Sequence, residues 1–309
     1  MNIIKNFMLI ALLSLTHFVI ASGAKDDFNI TEVAQGNYLH IGVHVSIDDI
    51  KHDDIANIGF IVGDKCIAVI DTGGSIDIGM ELLKKIKSIS DKPICYVINT
   101  HVHFDHMLGN KAFVLENPEF VGHQQLAAEV EQNREFFLEQ FKNDLGSNPD
   151  PSSIVGPNIL IDKSSQLDLG DRILTLVPFP VSHSRSDLII IDKKTNTLWA
   201  GDLIFRERIP SLTGSLIGWV KVMEDLLRLE VKLVIPGHGN VADSIPIAIK
   251  QQREYLQRLL AETRQAIEEG QFVNEAAENI DKDNLSNWLL HDYQHPTNVS
   301  RAFTELEWE

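Results

Sequence analysis

The sequence predicts an α/β protein, an αββα sandwich in which two sheets lie face to face between outer helices. Three observations carry this. Short, nearly continuous apolar runs such as "PICYVINT" read as buried strands. Apolar side chains elsewhere recur at helical spacing, as at 78, 82, 83, 86 and 89. A strand-rich segment, helices and a polar motif at a strand end then occur twice, and two ββαβα-like halves bury their sheets by facing each other.

In chain order, residues 1–24 stand apart. Lys5 supplies a positive start, "FMLIALLSLTHFVIA" an apolar run and "SGA" before Lys25 a small-residue cleavage site, which together read as a secretory signal. Ser14, Thr16 and His17 interrupt a run already short for a membrane span, and no cysteine follows the cut to carry a lipid. A periplasmic or secreted protein without a stable membrane anchor is expected. "YLHIGVHVS" and "NIGFIVGDKCIAVIDTGG" are early strands, the second a pair turned at Gly63-Asp64. A helix over 76–89 leads to "PICYVINT", bounded by Pro93. Then come "EFVGH", a helix through "QLAAEVEQNREFFLEQF" and an Asn-, Pro- and Ser-rich loop over 142–158. Strand signals follow in "ILID", "QLDLGDRILTLVPFP", "DLIIID" and "TLWAGD", the last two joined by the turn "KKTN". A helix over 216–229, the strand "VKLVIPGHG" and a long polar helix from Ile245 to Glu268 complete the pattern. Residues 25–270 form one domain in this reading, near the about 200–250 residues that single α/β cores reach, and 271–309 a tail packed on it.

The net charge of −17 repels phosphate backbones, which disfavours nucleic acid and leaves a small molecule as the expected partner. The two cysteines, Cys66 and Cys95, are too few for a disulfide framework and match no zinc spacing. Each lies five residues before a polar strand end, Asp71 and Thr100. On parallel neighbouring strands in register the thiols would sit side by side, and an oxidising compartment would permit a bond; the alternative is two small buried apolar residues.

The stretch "THVHFDHMLGN" places three histidines and an aspartate in six consecutive positions at the end of a strand. In a turning segment His101 and His103 can point one way while Asp105 and His106 reach a second point nearby. Imidazole nitrogens and carboxylate oxygens are ligands that divalent zinc accepts. Three more candidates end strands: His183 after "LVPFPVS", Asp202 in "LWAGD" and His238 in "LVIPGHG".

"HVHFDH", His183, "GD" at Asp202 and "PGHG" at His238, in that order, resemble the metallo-β-lactamase superfamily of αββα metallohydrolases. The resemblance implies that His101, His103 and His183 hold one metal and Asp105, His106 and His238 a second. Asp202 would bridge them, and Asp71 in "VIDTGG" would support the site without binding metal. The aspartate at 202 is unlike the lactamases that have a cysteine there, and His103 is unlike the carboxylate of flavodiiron oxidoreductases. Asp202 instead looks like glyoxalase II and lactonases, although "FPVSHSRSD" departs from the sequence that surrounds the third histidine in those relatives. The signal, "FRERIPSLTGSLIGW" and "HPTNVSRAFTELEWE" look like secreted zinc metallohydrolases associated with quinoprotein dehydrogenase systems and periplasmic sulfur oxidation.

The resemblance implies a hydrolase with two Zn2+ that cleaves a small ester, thioester, lactone or lactam, with Asp105 both ligand and partner of the nucleophile's proton. Arg206, shortly after Asp202, is the candidate to clamp a substrate carboxylate. Two alternatives stay open: a persulfide dioxygenase with one Fe2+, and a non-enzymatic metal-binding accessory of a quinoprotein dehydrogenase system.

Overall fold

The computed structural model describes residues 28–309. The signal expected over residues 1–24 lies outside the described residues. Among residues 28–309 no helix is long and apolar enough to cross a membrane.

The first sheet runs in sequence order: β1 (Thr31–Ala34), β2 (Asn37–His40), β3 (Ile58–Val62), β4 (Ile67–Ile70), β5 (Ile94–Ile98), β6 (Glu119–His123) and β7 (Ile159–Ile161). β1 to β4 pair antiparallel and β4 to β7 parallel. Helices α1 (Ile76–Ile89), α2 (Phe104–Met107) and α3 (Leu126–Gln140) connect its parallel strands. The second sheet holds β8 (Ser165–Asp168), β9 (Ile173–Pro178), β10 (Leu188–Asp192), β11 (Thr197–Trp199) and β12 (Leu233–Ile235) in reverse order, antiparallel except for β11 with β12. Helices α4 (Leu216–Leu226), α5 (Ile245–Glu268), α6 (Val273–Asn279) and α7 (His291–Leu306) complete the chain.

β4 shows why a continuous apolar strand was needed. Ala68 and Ile70 face the second sheet, packing in one cluster with Leu174, Leu188, Ile190 and Trp199. Ile67 and Val69 face outward into a cluster with Leu82 and Ile86 of α1. Both faces of the strand are covered, so neither alternates with polar residues. α1 spans the expected residues, with Ser75 capping its amino end by accepting from Ile78 N at 3.1 Å. The second sheet buries its outer face against α4, α5 and α7, through Ile189, Leu198, Trp219, Leu256 and Val299.

Four expectations are refined. "YLHIGVHVS" leaves the sheet after His40, because Val43 N turns to donate to Asp54 O at 2.8 Å. "ILID" becomes β7 at the edge of the first sheet, and "QLDLGDRILTLVPFP" divides into the hairpin β8–β9 at Gly170-Asp171. Residues 271–309 contain two helices; α7 drives Val299, Ala302, Phe303 and Leu306 into the core.

β4 and β5 are parallel neighbours, and Cys66 and Cys95 form a disulfide with Cα atoms 5.8 Å apart. A loop of this size, with a sequence separation of 29, is stabilised by about 3–4 kcal/mol in the chain-entropy account. Replacing both cysteines by alanine is therefore expected to lower Tm by roughly 10 °C, measured by calorimetry at fixed metal concentration. A Tm unchanged by the replacement would show the bond contributes nothing.

Candidate metal centre

The candidate ligands converge from both sheets. His101, His103, Asp105 and His106 follow β5, with Asp105 and His106 on the single turn of α2. His183 lies in the loop after β9, Asp202 in the 3-10 turn after β11 and His238 just past β12. All are buried except His103, which is half-buried.

Two groups result, each with its ligand atoms within 4.8 Å of one another: His101, His103, His183 and Asp202; and Asp105, His106 and His238. In the first, His101 Nε2 and His183 Nε2 each lie 2.9 Å from His103 Nδ1, and 3.6 and 3.3 Å from Asp202 Oδ2. Nitrogens on a tetrahedral zinc are about 3.3 Å apart, so the cluster is near metal-binding spacing. In the second, Asp105 Oδ2 is 3.6 Å from His106 Nε2 and 3.4 Å from His238 Nε2. Asp202 Oδ1 approaches these two nitrogens at 3.1 and 3.3 Å. One carboxylate thus turns one oxygen to each group.

Surrounding hydrogen bonds select the ring tautomers that a metal requires. His106 Nδ1 donates to Asp71 Oδ2 at 2.8 Å and His238 Nδ1 to Ile55 O at 2.7 Å, leaving each Nε2 with its lone pair toward the cluster. Thr100 donates from its hydroxyl to Asp71 Oδ2 at 2.7 Å and from its N–H to Oδ1 at 2.8 Å, and its Oγ1 lies 3.0 Å from His101 Nδ1. His106 Nε2 and Asp202 Oδ1 are buried without a hydrogen-bond partner. Orphaned acceptors at the centre of a ring of imidazoles fit a cation, and the residues present suit a divalent metal.

Electrostatics agree. Burial, reinforced by the neighbouring imidazole of His106, holds His101 well below its ordinary value, and burial does the same to His183. Both offer lone pairs at neutral pH. His106 differs: burial would push it down, but Asp202, Asp105 and Asp71 outweigh burial and hold it well above its ordinary value. These carboxylates call for a positive charge at Nε2 that a proton or a metal can supply, and only the metal leaves the lone pair in use. Burial opposes the charge on Asp202; His238, His106 and His101 outweigh it and keep the carboxyl well below its usual range.

Local structure fixes this arrangement. Asp71 ends β4 in the left-handed region at φ 53°, where an aspartate is better tolerated than a branched residue. A Cβ on Gly237 would fall 1.9 Å from Asp202 Oδ1, so "PGHG" needs its first glycine to pass beneath the Asp202 carboxylate. Asn57, which motif reading missed, holds the same turn by donating to Pro236 O and Gly239 O at 2.9 and 2.8 Å. Asp187 clasps the His183 loop, accepting from both hydroxyls of Ser182 and Ser184 and from Ser184 N at 2.7, 2.6 and 2.9 Å. Burial lifts its pKa to about 6. Neither Asn57 nor Asp187 belongs to a short motif, and only the folded chain brings them to the ligands.

A cavity of about 390 Å³ opens over the centre and is lined by His103, Asp105, Asp202 and His238. Arg206 does not line it. Its guanidinium donates to Asn240 O at 2.9 Å and to Val241 O, on the far side of the turn. Arg208 and Arg301 line the cavity instead. His44, 3.2 Å from Glu207, lies beside it, and His52 is packed against Phe104 and Phe141 while pairing with Asp144 at 3.2 Å.

Asp71→Asn tests the supporting shell. It is expected to weaken metal binding by about 10–100-fold, read by competition with a chromogenic chelator, because Thr100 N and His106 Nδ1 lose a charged acceptor. Unchanged affinity would leave Asp71 with a purely structural role.

The chain belongs to the metallo-beta-lactamase superfamily, whose family model matches residues 53–238. Its fold is that of a metallo-beta-lactamase from Pontibacter korlensis, 18% identical with a TM-score of 0.61 over 74% of this chain and 98% of that one. The stereoselective inverting sec-alkylsulfatase Pisa1 from Pseudomonas sp. is 17% identical with a TM-score of 0.69, over 90% of this chain but 50% of that one. A linear primary-alkylsulfatase from Pseudomonas sp. (strain ATCC 19151) is 46% identical over 50 residues, 16% of this chain and 10% of that protein. The chain thus matches a tenth of one alkylsulfatase and half of the other.

Proposed function

We propose that the protein is a hydrolase working with two divalent metals, zinc first among them, on a small ester, thioester, lactone or lactam. The carrying observation is Asp202, whose Oδ2 faces His101 and His183 while its Oδ1 faces His106 and His238. A carboxylate that turns one oxygen to each histidine group is placed to serve two cations at once. His101, His103 and His183 would hold one ion and Asp105, His106 and His238 the other. Bound metals supply Lewis acidity and a water acidic enough to react at neutral pH. Asp105, at the cavity wall, orients the proton of the attacking water, and Arg208 and Arg301 position the substrate.

The two alkylsulfatases support a second substrate reading, hydrolysis of an alkyl sulfate. The disulfide supports an oxidising compartment, hence export with Lys25 as the mature amino terminus. The link to a quinoprotein dehydrogenase system rests on the resemblance of the two quoted stretches.

The test is elemental analysis of the purified protein together with a panel of lactam, lactone, thioester, carboxylic ester and alkyl sulfate. About two zinc per chain and turnover of one member are expected. A single iron with dioxygen consumption on a persulfide would replace the hydrolytic reading with the dioxygenase. Two tightly held metals without any turnover would favour the accessory protein. Intact mass of exported protein checks the terminus at Lys25, and retention of residues 1–24 would overturn the signal reading.

A further inference from the structure

The cavity over the metal centre continues into a second lobe of about 460 Å³ with a different character. The two lobes share His103, Phe104, Thr213 and Arg301 at their junction. On the metal side stands Arg208. Its Nε and Nη1 are closed off from solvent and have no hydrogen-bond partner, and it makes no ion pair among the described residues. The neighbouring Glu207 is no counterion for it, being engaged with His44 at 3.2 Å and Asn240 at 2.6 Å. Arg301, from α7, is exposed, donates to Thr213 O at 3.3 Å and makes no ion pair among the described residues. The carboxylates facing this lobe, Asp105 and Asp202, belong to the ligand set.

The second lobe is walled by aromatic rings. Phe104 stacks on Phe141 at 4.3 Å, and Phe136 and Phe137 extend the surface outward. Glu129 and Arg185, opposite in charge, also line it, which leaves Arg301 at the junction as its unmatched charge.

A desolvated guanidinium without a counterion is costly, and an anion entering beside it recovers that cost. The protein is strongly acidic overall, yet the side chains of the metal-side lobe that are neither candidate metal ligands nor neutral are the two arginines, Arg208 within it and Arg301 at its exposed rim, which favours negative ligands there. An apolar wall a few side chains away selects for hydrocarbon. We propose that the two-lobed cavity recognises an anionic amphiphile, its oxyanion gripped by Arg208 and Arg301 and its apolar chain laid on Phe104, Phe136, Phe137 and Phe141. This deepens the hydrolytic reading by naming a substrate class, and rests on that reading for the word substrate alone. The oxyanion is either the reacting group, as in a sulfate ester, or a carboxylate held apart from the scissile bond.

Calorimetric titration of the metal-loaded protein with octyl sulfate, octanoate, octanol and octyltrimethylammonium tests it. Both anions are expected to bind at least tenfold more tightly than the alcohol or the cation. Affinity should rise about two- to fourfold per added methylene from the hexyl to the octyl anions. Arg208→Met and Arg301→Gln should each weaken the anions at least tenfold and leave octanol unaffected. Phe136→Ala, at an exposed ring, should flatten the chain-length series while keeping the preference for anions. Release of inorganic sulfate would make the oxyanion the reacting group; intact octyl sulfate that competes with a hydrolysed ester would make it a held carboxylate-like anchor, and both support the assignment. Octanol binding as tightly as octanoate, or Arg208→Met and Arg301→Gln both leaving anion affinity unchanged, would overturn it. Absence of all turnover with anion selectivity intact would remove the hydrolytic reading and leave this one standing.

Discussion

Asp202→Asn is expected to reduce bound zinc from about two equivalents to one or fewer and to lower hydrolysis by more than about a hundredfold, beyond the 10–100-fold typical of outer supporting residues. The carboxylate has two equivalent oxygens, each facing a different histidine group at 3.1–3.6 Å. Asparagine keeps the shape but offers one neutral oxygen and an amide that donates, so one group must face N–H where it now faces a lone pair. Asp105→Asn is milder: it leaves His101, His103, His183 and Asp202 intact, so one equivalent should persist while turnover falls. Elemental analysis and turnover, measured together, check both. If Asp202→Asn retains two metals and full turnover, the bridge is refuted.

Arg172→Met is expected to destabilise the protein by about 3–5 kcal/mol, read as a lower urea midpoint. Arg172 donates to Asp192 from Nε at 3.2 Å and Nη2 at 2.6 Å, and Asp192 has no solvent exposure. Asn37, on the other sheet, donates to the same carboxylate at 2.9 Å and accepts from Trp199 Nε1 at 3.1 Å. Arg172 reaches across in turn to Val62 O and Gln35 O at 2.8 and 2.7 Å. Removing the guanidinium leaves a buried charge between two sheets. Burial opposes ionisation of Asp192, but hydrogen bonds from Arg172, Thr195 and Asn37 prevail and depress its pKa. A depressed carboxyl contributes stability above its unfolded value of about 3.9, and that contribution is lost as pH falls through the lower folded value. The variant should therefore lose stability most at neutral pH and converge on the parent in acid. A midpoint difference that is the same at neutral and acidic pH would exclude the charge as the cause.

The candidate metal cluster was legible because its chemistry is local: four of its residues lie within six positions, and the other three sit in short glycine- or proline-marked strand ends. α1 was legible because its apolar spacing and Ser75 cap agree. Which arginines line the cavity was not. Arg206 and Arg208 would share one side of an extended strand, but Glu207 between them adopts φ 69°, which turns the two guanidiniums to different surroundings. Arg301 arrives from a helix about a hundred residues downstream, a distance that no local pattern spans. Pro296 inside α7 disguised that helix as a tail, although Val299, Ala302, Phe303 and Leu306 carried the helical period.

The division of the ligands between the two sheets has a consequence for how the protein matures. Four come from the first half of the chain and three from the second, and neither half alone presents a complete set for either ion. On the two-metal reading, high-affinity capture of metal has to wait until the halves have docked, which would make loading a late event in folding. Ions bound there would act as clamps on that seam: separating the sheets would require giving them up, so excess zinc should slow unfolding and a chelator should hasten it.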